Sequence, residues 1–316
     1  MADTIKLGIS SCLLGNNVRY DGGHKLDRFL RDTLGRYVTF VPVCPEVECG
    51  LPVPRESMRL VGDPADPRLV TTRTGLDHTE RMKSWARQRL DALAGENLCG
   101  FIFKKDSPSS GMLRVKVYND KGMPEKTGSG LFAKAFMTRF PRIPTEEEGR
   151  LYDPRLRENF IERIFALQRW RETLSQGQTL GRLVAFHTRE KLLLLSHSTE
   201  HYRTLGKLVA AGKQQPADRL FDAYESSFVA ALALKATPAK HANVLQHTLG
   251  YFKKNLAADE KQEMLSLIED YRAGHLPLIV PVTLINHYVR KYAEPYLVQQ
   301  SYLNPHPIAL QLRNHV

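Results

Sequence analysis

A chain of 316 residues, 42% hydrophobic and 25% charged, is long enough for two domains that each bury a core, and it holds no apolar run near the roughly 20 residues that span a bilayer. Residues 1–6 lack the basic patch and apolar stretch of a secretory signal, so no membrane partner and a cytoplasmic location are expected. Net charge is +11 and evenly spread, with 24 basic and 19 acidic residues through residue 150 and 21 and 15 after it, which points to a polyanionic partner such as nucleic acid met by both halves.

Along the chain, Leu7–Ser10 and Tyr37–Val43 are short apolar, β-branched runs that stop at turn-forming sequence, as buried parallel strands do. A helix is expected around Lys25–Leu34, and another from Asp77 to Leu93. The second has Asp77 and Glu80 as a capping box and Met82, Trp85, Leu90 and Leu93 on one side. Gly100–Phe103 follows as a third strand, and the alternating Leu113–Tyr118 as a further, half-exposed one. This order predicts an α/β N-terminal domain, doubly wound on a mostly parallel sheet, whose ligands gather at the strands' C-terminal ends. Pro141, Pro144, Glu146, Glu147, Glu148 and Asp153-Pro154 interrupt regular structure and read as the connection between domains. Beyond it helical spacing takes over. The expected division is 1–148 for the α/β domain, 149–180 for a basic linker and helix, and 181–316 for an all-α C-terminal domain. A helix there starts at Asp259 and Gln262 and stops at Gly274.

Three loops follow the three strands. Ser10-Ser11-Cys12-Leu13-Leu14-Gly15 carries one thiol, and Val43-Cys44-Pro45-Glu46-Val47-Glu48-Cys49-Gly50 carries two thiols and two carboxylates. Lys104-Lys105-Asp106-Ser107-Pro108-Ser109-Ser110-Gly111 is rich in hydroxyls behind two lysines. Soft thiolates converging on one crevice suit an iron–sulfur cluster or zinc, and their spacing does not choose between the two.

These residues resemble the thiouracil desulfidase family. The likeness rests on Ser10–Gly15, Val18-Arg19-Tyr20-Asp21-Gly22, Val43–Val47, Leu51-Pro52-Val53-Pro54-Arg55 and Ser107–Gly111. The second half, from about Arg182, is similar to the helical domain fused to it in two-domain tRNA 4-thiouridine desulfidases, through Phe186-His187-Thr188-Arg189, Lys191 and Pro295-Tyr296-Leu297. The resemblance implies a [4Fe–4S] cluster on three cysteines with one iron open to sulfur, Glu46 as catalytic acid and Ser107 as active-site serine. Single-domain relatives place the third ligand cysteine where this chain has Ser110. Cys49 is expected to replace it from the neighbouring loop, beside Cys12 and Cys44, because Cys99 precedes its strand and so begins at the opposite sheet edge.

Arg19, Asp21, Arg55, Lys104, Ser109 and Ser110 are the expected substrate contacts, although a turn built on Asp21-Gly22-Gly23 explains Arg19, Asp21 and the neighbouring His24 almost as well. His187, His197 and His201 lack a carboxylate or thiol at ligand spacing and are expected as core or surface residues. Arg169, Arg189, Lys191, Lys253, Lys254, Arg290 and Lys291, interleaved with Tyr251, Phe252, Tyr288 and Tyr292, are the expected contacts to RNA phosphates and bases. The reading is a cluster-dependent desulfidase that converts 4-thiouridine in tRNA to uridine and sulfide, with no obligatory protein partner. Its rivals are an enzyme on free thiouracil and a non-catalytic iron–sulfur RNA-binding or sensor protein.

Overall fold

The computed structural model describes residues 4–316 and divides the chain into two units, one ending at Asp153 and the other beginning at Pro154. In the first unit, β1 (Ile5–Ser10) pairs in parallel with β2 (Val38–Val43), which leads into the single-turn helix α1 (Pro45–Glu48). Next come β3 (Met58–Val61), β4 (Arg68–Thr71) and the long helix α2 (Thr79–Ala94). The unit closes with β5 (Gly100–Phe103), β6 (Val115–Tyr118), β7 (Pro124–Gly128), α3 (Leu131–Arg139) and β8 (Thr145–Glu147).

Two sheets result. The first has the order β2-β1-β5-β8 and is parallel throughout. The chain moves from β1 to one side for β2 and returns to the other side for β5, so the order reverses at β1. That reversal opens a crevice at the C-terminal ends of β1, β2 and β5, where open α/β sheets place their ligands. Phe101 and Phe103 of β5 stack at 4.3 Å and meet Phe132 and Phe136 of α3, with Ala86, Leu90 and Leu93 of α2 completing that layer. The second sheet, β4-β3-β6-β7, is mixed: β3 and β6 are parallel, and the outer pairs antiparallel.

Several sequence expectations change here. The run Glu146–Glu148 is not a connection. It ends the edge strand β8, and all three glutamates are buried. The helix expected around residues 25–34 is shorter and irregular, a π-helix over Phe29–Thr33 that runs into the 3-10 helix Leu34–Arg36. At the start of α2, Asp77 Oδ1 accepts from the Thr79 backbone at 2.8 Å, so the expected Asp77–Glu80 box is not made.

The second unit is helical: α4 (Pro154–Ser175), α5 (Leu180–His197), α6 (Thr199–Ala210), α7 (Ala217–Ala233), α8 (Pro238–Leu249), α9 (Ala258–Ala273), α10 (Ile279–Tyr292) and the short α11 (Pro295–Val298). Its core is built on Trp170, Phe186, Phe221, Tyr224 and Phe228. Because Trp170, Ala166 and Leu167 lie in that core, α4 belongs to this unit and is not a linker. Glu260 Oε2, not Asp259 or Gln262, closes the N-terminus of α9 by accepting from the Ala257 backbone at 2.9 Å, and Gly274 ends the helix at φ +84°. No helix among the described residues is long and apolar enough to cross a membrane.

Candidate active site

Cys12 stands in the 3-10 turn Ser11–Leu14 directly after β1, and Gly15 closes that turn in the left-handed region at φ +96°, where a side chain would strain the backbone. Cys44 is the residue before α1, and its own N–H is satisfied by Glu48 Oε1 at 2.8 Å. Glu48 therefore serves the helix end, and Glu46 is free to face inward. The Ser107–Gly111 loop is held from behind by the start of α3, where Phe132 N and Ala133 N both donate to Ser109 O, at 2.9 and 3.2 Å. A Cβ on Gly130 would lie 2.5 Å from the Ser109 backbone, so only glycine allows this approach.

These three loops enclose a cavity of about 320 Å³ lined by Cys12, Cys44, Glu46, Lys104, Ser107 and Ser110 among others. Burial pushes the Cys12 thiol up to about 11, against the opposing pull of the Lys104 ammonium, and burial also raises the Cys44 thiol. Such thiols keep their protons at neutral pH until a metal displaces them.

A polar chain crosses the cavity wall. Ser107 Oγ and Ser109 Oγ are 3.1 Å apart, Ser109 Oγ donates to Glu46 Oε1 at 2.9 Å, and Arg55 Nε donates to Glu46 Oε2 at 2.9 Å. Arg55 Nη2 donates to the same carboxylate oxygen and to Val18 O, and Nη1 to Pro52 O. The Arg55 guanidinium thus orients Glu46 and itself lines the cavity. Asp21 is exposed outside the lining. Its carboxylate caps Gly23 N at 3.0 Å and holds Arg19 at 3.3 Å, so of the two only Arg19 faces the cavity.

Lys104 Nζ is fixed by the buried Glu148 carboxylate, whose other oxygen accepts from Lys105 N at 2.7 Å. Glu147 accepts from Met112 N at 2.6 Å and ties down the far end of the serine loop. Neither glutamate carries a local sequence signal for this role, because a glutamate run ordinarily marks a solvated turn. Cys49 is buried but is not among the residues lining the cavity. Its Sγ donates to Glu46 O at 3.2 Å, and the side chain packs with Leu51, Leu60, Leu69 and Met82. Cys99 precedes β5, with its N–H on Lys6 O at the opposite sheet edge. Among the described residues no three His, Cys, Asp or Glu side chains converge as a metal site.

In the helical unit Arg169 is not a surface residue. Its guanidinium grips the fully buried Glu190 at 2.7 and 2.9 Å and donates to Pro305 O. Arg189 lies over Phe186 and 3.4 Å from Glu190, Lys191 is half-buried, and the exposed Lys291 pairs with Glu260 at 3.2 Å. Phe252 and Tyr288 are core residues. Lys253, Lys254 and Arg290 are exposed, and the two lysines border a shallow groove of about 470 Å³ with His247, Tyr251 and Asn255. His187 and His197 are buried: His187 bonds Tyr224 Oη at 3.1 Å and His197 bonds Glu162 at 3.0 Å, while His201 bonds Ser198.

The family model described as 2-thiouracil desulfurase matches residues 7–148, and a second one, a protein of unknown function (DUF1722), matches residues 191–307. An Escherichia coli (strain K12) protein, the uncharacterised YbgA, is 37% identical over 161 residues, covering 51% of this chain and 95% of its own length. The uncharacterised YbbK of Bacillus subtilis (strain 168) is 31% identical over 146 residues, 44% of this chain and 95% of that protein. Among solved structures, the [4Fe-4S]-dependent thiouracil desulfidase TudS is 32% identical, with 47% of this chain and 94% of that one covered at a TM-score of 0.39. The chain belongs to the 2-thiouracil desulfurase family. In it the desulfurase domain is joined to a DUF1722 region, a two-domain architecture.

Proposed function

We propose that the first unit is a desulfidase that replaces the sulfur of a thiolated uracil by oxygen, and that its physiological substrate is 4-thiouridine in tRNA. One observation carries the reading: two thiols, Cys12 and Cys44, share a cavity with the Ser107–Ser109–Glu46 chain at the sheet's switch point. Two soft donors on one wall fit an iron–sulfur cluster of the kind for which the TudS relative is named. Such a cluster, when bound, supplies a Lewis acid with affinity for sulfur.

The protein's own residues do the rest. The reaction breaks the ring C–S bond and forms C–O from water, leaving sulfide, with no net electron transfer. Glu46, fixed by Arg55, takes the proton of the attacking water through Ser109 and Ser107. Lys104, anchored on Glu148, places a positive charge beside Cys12. The wall made by the start of α3 keeps the serine loop from shifting as water enters.

The tRNA half of the proposal rests on the helical unit, where exposed Lys253, Lys254 and Arg290 neutralise phosphates and the partly exposed Tyr251, stacked on Tyr296 at 5.1 Å, offers a face to an unpaired base. The relative's name, a thiouracil desulfidase, favours the second reading, action on the free base. After anaerobic reconstitution with iron and sulfide, nucleoside analysis of bulk tRNA is expected to show 4-thiouridine converted to uridine. Turnover of free 4-thiouracil with untouched tRNA would replace the first reading by the second, and no sulfide from either would end both.

A further inference from the structure

An ion pair that the sheet itself assembles stands at the crevice. Phe103 of β5 and Glu147 of β8 are paired in parallel register, so the residues that follow them, Lys104 and Glu148, are neighbours with side chains on the same face. Glu148 N donates to Phe103 O at 3.1 Å and keeps that register past the last paired residues. Lys104 is then held at both ends. Its backbone N–H donates to Ser10 Oγ at 2.9 Å, and its Nζ donates to Glu148 Oε1 and, at 3.0 Å, to Lys105 O. An ammonium has three N–H donors, and two are engaged, so the third is left for a ligand in the cavity that Lys104 lines.

Among the described residues five cations line the cavity, and they differ in what they are free to do. Arg55 is turned onto Glu46, Val18 O and Pro52 O, and Arg19 onto Asp21. Lys25 and Lys105 are exposed, where water weakens the reach of their charge. Lys104 keeps only 15% of its side chain exposed. Burial raises the Cys12 thiol, and Lys104 exerts the largest opposing pull, ahead of Arg19, which sets its ammonium beside the thiol wall. Glu148 acts on the same thiol in the other direction and more weakly, and its second oxygen is held by Lys105 N at 2.7 Å. Toward the cavity the pair therefore acts as a cation.

Desulfidation needs a cation there. Water adds to the ring carbon and forms C–O while its proton passes toward Glu46. The C–S bond breaks with both electrons on sulfur, and no electron is exchanged with another group, so negative charge collects on sulfur before sulfide leaves to solvent. A charge fixed beforehand costs no reorganisation as that bond breaks. We propose that Lys104 is a catalytic residue whose third N–H stabilises the charge growing on the departing sulfur, and that Glu148 is the positioning residue that fixes it. This inference rests on the desulfidase reading above. It adds a group that acts on the leaving sulfur, where Glu46 acts on the water.

The test uses the full chain, reconstituted anaerobically with iron and sulfide and assayed on 4-thiouracil and on thiolated tRNA, with iron content and circular dichroism as controls. Lys104→Met should lower kcat about 10²–10³-fold on whichever substrate the parent turns over, with KM within a few-fold and the iron content unchanged. Glu148→Gln should lower kcat by a smaller factor, and Lys104→Arg should recover part of the loss. A second readout needs no turnover: added hydrosulfide, followed by visible absorption, should bind the parent about tenfold more tightly than it binds Lys104→Met, the order of one charge-assisted hydrogen bond. A kcat within a few-fold of the parent in Lys104→Met, a loss confined to KM, equal hydrosulfide affinity, or loss of iron from that variant overturns the role of Lys104 and leaves the desulfidase reading standing. A loaded parent that releases no sulfide from either substrate overturns both.

Discussion

In the helical unit Arg313, 3% exposed, lies between two buried carboxylates, with Nε 3.3 Å from Glu158 and Nη2 3.1 Å from Glu162, and its Nη1 donates to Tyr302 O at 2.7 Å. Glu162 is shared with His197, whose other nitrogen meets Leu234 O, and Arg169 and Ser301 close on Glu190 in the same way. The α/β unit also buries polar groups near its centre, but Cys12, Cys44, Ser110 and one side of Glu46 face a hollow. The difference separates framework from chemistry. Where buried polar groups satisfy one another they fix a geometry, and where they converge on a void they await a ligand.

The comparison is broken most severely by removing a cavity thiol. Cys12→Ala or Cys44→Ala should abolish iron uptake and sulfide release while the circular dichroism spectrum stays that of the parent. Retained iron in either variant would falsify the cavity as the metal site. Next in size is Glu46→Gln, which keeps the Ser109 contact but cannot take a proton. Sulfide release should fall about 10²–10⁴-fold with the cluster absorption intact. A rate within a few-fold of the parent would remove Glu46 from proton transfer.

The opposite half of the comparison is tested at Arg313. Arg313→Met strands Glu158 and Glu162 in a low-dielectric core, an uncompensated burial that costs about 3–5 kcal/mol. Urea denaturation followed through Trp170, in a Trp85→Phe background because the chain has two tryptophans, should show that loss. Iron uptake by the α/β unit should not change. A stability loss below about 1 kcal/mol would mean that the network is not the framework described.

How far the sequence exposes this division depends on how local the deciding contact is. β1, β2 and β5 are legible because apolar, β-branched runs end at loops, and the three chemical loops follow from them. The long helix α2 is legible from its spacing to within two residues. β8 is not, because three glutamates in a row prefer water unless partners such as Lys104, Met112 N and Arg150, far along the chain or around a turn, are already in place. Arg169 looks like a surface cation because Glu190, 21 positions away, meets it only after α4 and α5 pack. Cys49 is expected to return on an extended loop, but residues 45–48 coil into one helical turn behind Pro45 and carry its thiol into the apolar cluster. Glu46, Ser107 and Ser109 are in reach of sequence reasoning, and the Arg55 clamp is visible only in three dimensions.

A smaller effect follows from the buried histidines. Burial lowers His187 to about 4 and His241 to about 3, and each bonds a buried tyrosine at 3.1 Å. Both bind a proton more readily unfolded, near the ordinary 6.5, than folded, so their contribution is whole above about 6.5 and is lost as pH falls toward their folded values. Each should cost about 1.4 kcal/mol per pH unit in that window. The thermal midpoint of the helical unit should therefore drop between pH 6.5 and 4, and less steeply in His241→Gln. A midpoint independent of pH there contradicts neutral burial.

The smallest expected effect concerns the surface of the helical unit, where charge is exposed and not committed inward. Lys253 and Lys254 border the groove with His247 and Tyr251, and neither makes an ion pair among the described residues. Each lysine that neutralises a phosphate releases about one counterion, so Lys253→Gln or Lys254→Gln should flatten the slope of log affinity against log salt by about one unit between 50 and 200 mM. Lys126→Gln, on the exposed strand β7 of the other unit, is the matched control and should leave the slope unchanged. Arg169→Lys should likewise leave it unchanged, since that cation is spent on Glu190. Equal slopes for all four variants would place the tRNA contacts elsewhere, whereas flattening confined to Lys253 and Lys254 would show that the unit's framework cations and its ligand cations are separate sets.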